Sequence, residues 1–242
     1  MPHKNRRNHW VMWLKIILLA AISIWRAYVY ITENSVFDAI LLGLFFSQIG
    51  VNVMHDANHL ALSDSPGLSR LIGLSLDLIG GSSVGFIRSH NFGHHGYVND
   101  LELDKAYANT FPILRMEERL PWLEGHKFQH IYAFPIYAIN NLFVMLTQIE
   151  RLVLRQNYPF RRSHISKTVT LLNLSAYVMH LTLFIFVPSY LHGFLRTFPL
   201  WILMHLVFSI GYVVLFAINH WTEPVLLETE KKENKELPDW AQ

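Results

Sequence analysis

The chain has 242 residues, of which 52% are hydrophobic and only 16% are charged, against about 25% charged residues in ordinary soluble domains. This composition excludes a disordered chain and indicates an integral membrane protein, and the net charge of +2 gives no support to nucleic-acid binding. The absence of cysteine excludes disulfides, thiolate metal sites and cysteine nucleophiles, whereas the 14 histidines make imidazole the main candidate metal ligand.

The first two predicted elements form a hairpin of membrane-spanning helices. A bilayer core requires about 20 helical residues, and the apolar stretch at about residues 10–31 meets this length. Lys15 and Arg26 lie towards its ends, where we expect them to snorkel to the membrane surface. After a turn at residues 32–35, a second apolar stretch at about 36–54 crosses back.

The long segment 55–167 contains two further apolar stretches, at 71–87 and 128–149. The first is broken by Gly-Gly-Ser-Ser at residues 80–83, and the second contains several polar side chains and a proline. We therefore predict that both are helices that lie in the membrane interface or re-enter the membrane without crossing it.

A second hairpin is predicted near the C-terminal end. Its spans, at about 169–190 and 198–219, fall within stretches that contain no Asp, Glu, Lys or Arg, separated by a short turn at Arg196. Each stretch exceeds the length that a bilayer core requires. The sequence thus predicts four spans.

The basic residues predict the orientation of these spans. Apart from Arg26 and Arg196, all Lys and Arg residues lie away from the two short turns. The positive-inside rule therefore places both termini, the segment 55–167 and the tail 220–242 in the cytoplasm. We predict one all-α integral membrane domain, in which two transmembrane hairpins carry a cytoplasmic, histidine-rich helical cap.

Two histidine motifs lie in this cap. In His55-Asp56-Ala57-Asn58-His59 the two histidines are four residues apart and share a helix face. In His90-Asn91-Phe92-Gly93-His94-His95 an α-helix would align His90 with His94 and place His95 about 100° further round. The predicted topology brings six imidazoles to one side of the membrane, those of His55, His59, His90, His94, His95 and His220.

Six imidazoles exceed the four ligands of a tetrahedral zinc site, so the number favours a dinuclear centre. Iron, zinc, copper and nickel all accept imidazole ligands. Two more histidines, His180 and His205, lie in the middle of the last two spans. For these we predict an interhelical hydrogen bond instead of metal binding.

The motifs HDANH and HNFGHH, with His220 at a helix end, resemble the histidine boxes of integral-membrane fatty acyl desaturases, in particular the front-end, linoleoyl-CoA-desaturase-like group. Gly80-Gly81 before the second box, Asn99 and Asp104 after it, and the segment 127–132 are also similar to this family. The family has a third box, Q/H-x-x-H-H, beyond the fourth span. No such motif occurs in the sequence, so we expect the chain to be cut off at its C-terminal end.

The resemblance implies a desaturase that introduces a double bond into an acyl chain. In the family, two iron ions activate O₂ with two external electrons and remove two hydrogens. The resemblance implies that the six histidines named above are the metal ligands, that Asp56 and Asn91 orient imidazoles, and that His130 lies near the site. It implies no catalytic residue separate from the metal ligands.

The resemblance also implies partners. The substrate is an acyl-CoA or a membrane acyl lipid. Neither a His-Pro-Gly-Gly haem signature nor a G-x-G-x-x-G dinucleotide motif occurs in the sequence. We therefore expect the electrons to come from a separate cytochrome b5-like or ferredoxin-like protein.

Three alternatives stay open at this point. A membrane hydroxylase or ketolase uses the same architecture for a different reaction. A metalloprotease could use HDANH, since H-E-x-x-H is the zinc-protease pattern, but this leaves the second cluster unexplained. A desaturase-like protein without the third box could lack catalytic activity altogether.

Overall fold

The protein is described by a computed structural model that covers residues 10–98, 100–101, 103–104, 110–153 and 167–220. Asn99 and the tail from residue 221 onwards lie outside these ranges. Within them the chain forms seven main helices and no strand, which confirms the all-α prediction. The helices are α1 (Trp10–Glu33), α2 (Val36–Asn58), α3 (Pro66–Leu78), α4 (Ser83–His94), α5 (Gln129–Val153), α6 (Lys167–His192) and α7 (Phe194–His220).

Four of these helices are long and apolar enough to cross a bilayer, as predicted. Each is at least 23 residues long and contains an apolar stretch of 18 residues with at most two charged side chains. The helix α2 is the most buried of the four and packs against both α1 and α7. Side chains such as Ile17, Trp25 and Leu171 are exposed on the outer faces of the bundle, where a lipid environment suits them.

The turns of the two hairpins contact each other. Arg196, at the start of α7, donates hydrogen bonds to the backbone oxygens of Glu33 and Asn34, over 2.9 and 3.1 Å. Thr197 donates to the side-chain oxygen of Asn34 over 3.2 Å, and His192 is 3.0 Å from the carbonyl oxygen of Ile31. Both turns therefore lie at one end of the bundle, and the start of α1, the end of α7 and the cap lie at the other.

Inside the first hairpin, Arg26 does not snorkel to the surface as the sequence suggested. Its guanidinium forms an ion pair with Asp38, and each side chain is only 8% exposed. Asp38 also accepts a hydrogen bond from the Ser35 hydroxyl over 2.6 Å, and Ser35 caps the N-terminus of α2. The prediction for Arg26 was wrong because the carboxylate of Asp38, on the facing helix, pairs with the guanidinium inside the bundle. The charge therefore does not have to reach the membrane surface.

The two apolar stretches of the cap have different shapes. The helices α3 and α4 form one pair that is bent by 112° at a break of at most four residues, as in a broken span or a re-entrant loop. The helix α5 follows a short 3₁₀ turn at Glu124–Phe128. Large apolar side chains are exposed along α5, namely Ile131, Phe134, Ile139, Phe143 and Leu146. Such a face suits a helix that lies against lipid.

Candidate metal centre

The first histidine pair lies where α2 leaves the bundle. A π-helical turn at Gly50–Met54 precedes a last α-helical turn at His55–Asn58. The backbone N–H of His59 donates to the carbonyl oxygen of His55 over 3.1 Å. The two imidazole rings are 4.6 Å apart between centroids, which confirms that they share a face.

The second motif lies on a π-helix instead of an α-helix. Ser82 caps the N-terminus of α4, and from Ile87 to His94 the backbone is π-helical. The N–H of His95 donates to the carbonyl oxygen of His90 over 2.9 Å. This i→i+5 pattern aligns residues five apart, so His90 faces His95. The ring of His94 also stacks on that of His90, as the sequence predicted, and the π-helix adds His95 as a closer neighbour.

The two motifs meet at His90. Its Nε2 atom lies 3.1 Å from Nε2 of His59 and 3.1 Å from Nε2 of His95. Ring nitrogens of His55, His59 and His90 lie within 4.8 Å of one another and can hold one metal ion. The structure thus brings together four of the six predicted ligands, His55, His59, His90 and His95, which we call the histidine cluster.

His94 stands beside this cluster and is held by a carboxylate. Its ring is 5.6 Å from that of His90 between centroids. Its Nδ1 atom lies 2.9 Å from both carboxylate oxygens of Asp104, whose side chain is fully buried. The N–H at Nδ1 donates to the carboxylate, so Nε2 is the atom that can bind a metal. The sequence analysis noted Asp104 only as part of the family resemblance and predicted no role for it.

The end of α7 reaches the same cluster. The ring of Phe216 is 4.8 Å from that of His90 and 6.1 Å from that of His55. His220 is the last residue of α7, and its side chain lies outside the described residues. His220 comes four residues after Phe216 in α7.

The three predicted supporting residues have different surroundings. Asp56 lies 3.4 Å from Nδ1 of His55, with a side chain that is 39% exposed. Asn91 donates to the carbonyl oxygen of Asn58 over 2.8 Å and so ties α4 to α2, without a described bond to a ring. His130 is exposed at the start of α5, and among the described residues it makes no ring contact with the histidine cluster.

The surroundings of His95 favour its neutral form. The Phe86 ring is 4.4 Å from the His90 ring between centroids and covers one side of the cluster. Burial, and then the nearby rings of His94 and His55, lower the pKa of His95. A neutral imidazole is the form that binds a metal. Since the converging donors are ring nitrogens, the cluster fits a divalent transition metal such as iron, zinc, copper or nickel.

The contact between His94 and Asp104 gives a prediction. We expect Asp104→Asn to weaken iron(II) binding by about 10- to 100-fold, the usual effect of losing the carboxylate that orients a histidine ligand. An anaerobic titration of the purified chain measures this. The matched control is Asp56→Asn, which changes a more exposed carboxylate at a longer distance and should have a smaller effect. Equal affinities for wild type and Asp104→Asn would contradict the role of Asp104.

Comparisons with known proteins identify the family of this chain. The family model for fatty acid desaturases matches residues 34–241. The chain is 32% identical to an acyl-lipid (7-3)-desaturase of Chlamydomonas reinhardtii over 63% of this chain and 30% of that protein. It is 29% identical to acyl-lipid (8-3)-desaturase B of Dictyostelium discoideum over 78% of this chain and 41% of that protein.

A third relative is the sn-1 linoleoyl-lipid 6-desaturase of Arthrospira platensis, which is 28% identical over 63% of this chain and 42% of that protein. No solved structure gives a significant match. The chain thus spans less than half the length of these three relatives. The family match nevertheless extends over most of the sequence, from the first hairpin turn past both histidine motifs, and the chain belongs to the fatty acid desaturase family.

Proposed function

We propose that this protein is a fatty acyl desaturase that introduces a double bond into a lipid acyl chain at a pair of iron ions. The observation that carries the proposal is the histidine cluster, in which imidazoles from two separate motifs converge at the end of a membrane bundle. Removing hydrogen from an unactivated methylene lies beyond acid–base side chains and requires a cofactor. Iron held by these imidazoles would supply this chemistry, in which O₂, two external electrons, two protons and the two hydrogens of the acyl chain would yield two molecules of water.

The proposed ligands are the six histidines His55, His59, His90, His94, His95 and His220. Four of them support the proposal by their short ring-to-ring contacts, and His94 supports it through its orientation by Asp104. His220 is proposed from its place in the sequence, at the end of α7 and four residues after Phe216. Asp56 remains a proposed partner of His55. His130 remains a prediction without a contact to support it.

The protein contributes position and surroundings. Asn58 and Asn91 hold α4 against α2, so that the two motifs face each other. Phe86 and Phe216 pack against the ring of His90 and give it apolar surroundings. The cluster lies where the spans end, so an acyl tail can approach from the bilayer.

The substrate is proposed as an acyl lipid or an acyl-CoA, because the relatives above carry acyl-lipid and linoleoyl-lipid desaturase names. The electrons would come from a separate cytochrome b5-like or ferredoxin-like protein. Because the two hairpin turns touch, the cap, the start of α1 and the end of α7 belong to the opposite side of the bundle. The basic residues on that side favour the cytoplasm. We therefore propose a multi-pass domain with a cytoplasmic site.

Expression of the chain in host membranes, together with an electron donor, tests the proposed reaction. Total fatty acids are converted to methyl esters and analysed by gas chromatography and mass spectrometry, with His90→Ala as the inactive control. We expect a fatty acid with one additional double bond that is missing from the control. A hydroxylated product would favour the hydroxylase alternative. Membrane insertion without a new product would favour a non-catalytic protein.

A further inference from the structure

A second group of histidines lies away from the histidine cluster, in the interior of the bundle. His180 on α6 and His205 on α7 are completely buried, and their Nε2 atoms are 3.1 Å apart. This contact confirms the predicted interhelical hydrogen bond. The indole N–H of Trp201 also donates to Nε2 of His180, over 3.2 Å.

The bonding partners assign the proton positions. Nδ1 of His180 lies 2.9 Å from the carbonyl oxygen of Leu78, which can only accept, so Nδ1 carries the hydrogen. Nε2 of His180 therefore accepts, and Nε2 of His205 donates to it. Nδ1 of His205 in turn accepts from the side-chain amide of Asn141 over 2.9 Å. Asn141, His205 and His180 thus form one directed series of hydrogen bonds, which we call the buried histidine chain.

Both ends of the buried histidine chain hold the bend between α3 and α4. At one end, Nδ1 of His180 donates to the carbonyl oxygen of Leu78. At the other end, the side-chain amide of Asn141 also donates to the carbonyl oxygen of Gly80, over 3.3 Å. Carbonyl groups at the end of a helix lack partners within the helix, and the buried histidine chain supplies them at this bend. A metal is not needed to explain it, because both nitrogens of each ring already have partners in the described structure.

Gly80 fits tightly against the buried histidine chain. Its φ of +89° lies in the region that side chains disfavour, and a Cβ atom there would stand 2.6 Å from Cε1 of His205. The bend and the two histidines therefore pack as one unit.

The helix α5 is attached to the same place. The hydroxyl of Ser209, on α7, accepts from the backbone N–H of Asn141 over 3.0 Å and donates to the carbonyl oxygen of Tyr137 over 2.5 Å. The hydroxyl is thus inserted where an i→i−4 bond of α5 would form. Asn141 is held by its backbone as well as by its side chain, so its amide has a fixed position towards His205.

We propose that Asn141, His205 and His180 are positioning residues, which fix the bend at Gly80 and thereby the direction in which α4 presents His90 and His95 to His55 and His59. The helix α4 starts three residues after the bend, at Ser83, and is the element that carries the second motif. A change in the bend would swing this motif away from α2. The consequence for metal binding rests on the proposed function, whereas the geometric effect does not.

The absence of cysteine allows a direct measurement of the bend. Leu71 on α3 and Phe92 on α4 are each 63% exposed. Spin labels attached to Leu71→Cys and Phe92→Cys report the distance between the two arms by pulsed electron resonance, in the full chain reconstituted in lipid without metal. We expect one narrow distance distribution in this background.

Adding His205→Phe or Asn141→Leu should broaden or shift this distribution, because each removes a link of the buried histidine chain. His205→Gln should restore it, since its amide can accept from Asn141 and donate to His180. The matched control is His192→Phe, the same change on α6 at the opposite end of the bundle, which should leave the distribution unchanged.

Two results would overturn the proposal. One is an unchanged distribution in both His205→Phe and Asn141→Leu. The other is an equal disturbance of the distribution in His205→Gln and His205→Phe. This result would indicate that His205 has a packing role only, and a variant that folds poorly would give the same result. The distance between the labels is measured without metal and without turnover. A chain that binds no iron would therefore contradict the proposed function without affecting the test of the bend.

Discussion

Replacing His90 with alanine is expected to abolish stoichiometric iron binding. His90 is the centre of the histidine cluster, with its Nε2 atom 3.1 Å from those of both His59 and His95. Loss of a group that only orients a ligand costs about 10- to 100-fold in metal affinity, and the loss of a central ligand should exceed this range. Anaerobic titration with iron(II), followed by metal analysis of the washed protein, measures the effect.

The control for this prediction is His192→Ala, which removes an imidazole at the opposite end of the bundle, where it contacts the carbonyl oxygen of Ile31. This variant should retain the wild-type affinity. If His90→Ala bound iron as tightly as His192→Ala does, the proposed ligand set would be incorrect.

Replacing Asp38 with leucine should strongly destabilise the first hairpin. The variant leaves the guanidinium of Arg26 buried without its carboxylate partner. Breaking a buried ion pair by removing one partner costs about 3–5 kcal/mol. Unfolding of the purified chain in mixed detergent micelles measures the free energy of unfolding.

The double variant Arg26→Leu/Asp38→Leu separates the cost of an unpaired charge from the loss of the pair. It removes both charges, so we expect it to recover most of the stability that Asp38→Leu loses. The difference between the single and double variants gives the coupling energy. A double variant that is as unstable as the sum of both single variants would show that the two groups act independently, and this result would contradict the expected coupling between Arg26 and Asp38.

The sequence was sufficient to predict the four spans and the first histidine pair. A bilayer imposes a minimum length on apolar helices, so length and hydropathy identified the four spans without knowledge of their neighbours. The spacing of His55 and His59 was equally local, because the α-helix brings residues four apart together. The interhelical contact of His180 with His205 followed from the need of a buried polar group for a partner.

The features that the sequence could not provide depend on contacts between distant parts of the chain. The π-helical backbone of α4 pairs His90 with His95, and the motif HNFGHH contains no local signal for this. The partner of Arg26 lies across a turn on the next helix, and the position of that turn decides which residues meet. Asp104 reaches His94 from a loop after α4, so only the folded structure reveals its role.

The measurement that tests the central claim most directly is X-ray absorption at the metal of the purified full chain, combined with its metal content. We predict bound iron with nitrogen atoms as the main neighbours, because the converging side chains are imidazoles. Stoichiometric zinc without iron, or iron coordinated mainly by oxygen, would contradict the proposal that the histidine cluster is the iron site of a desaturase.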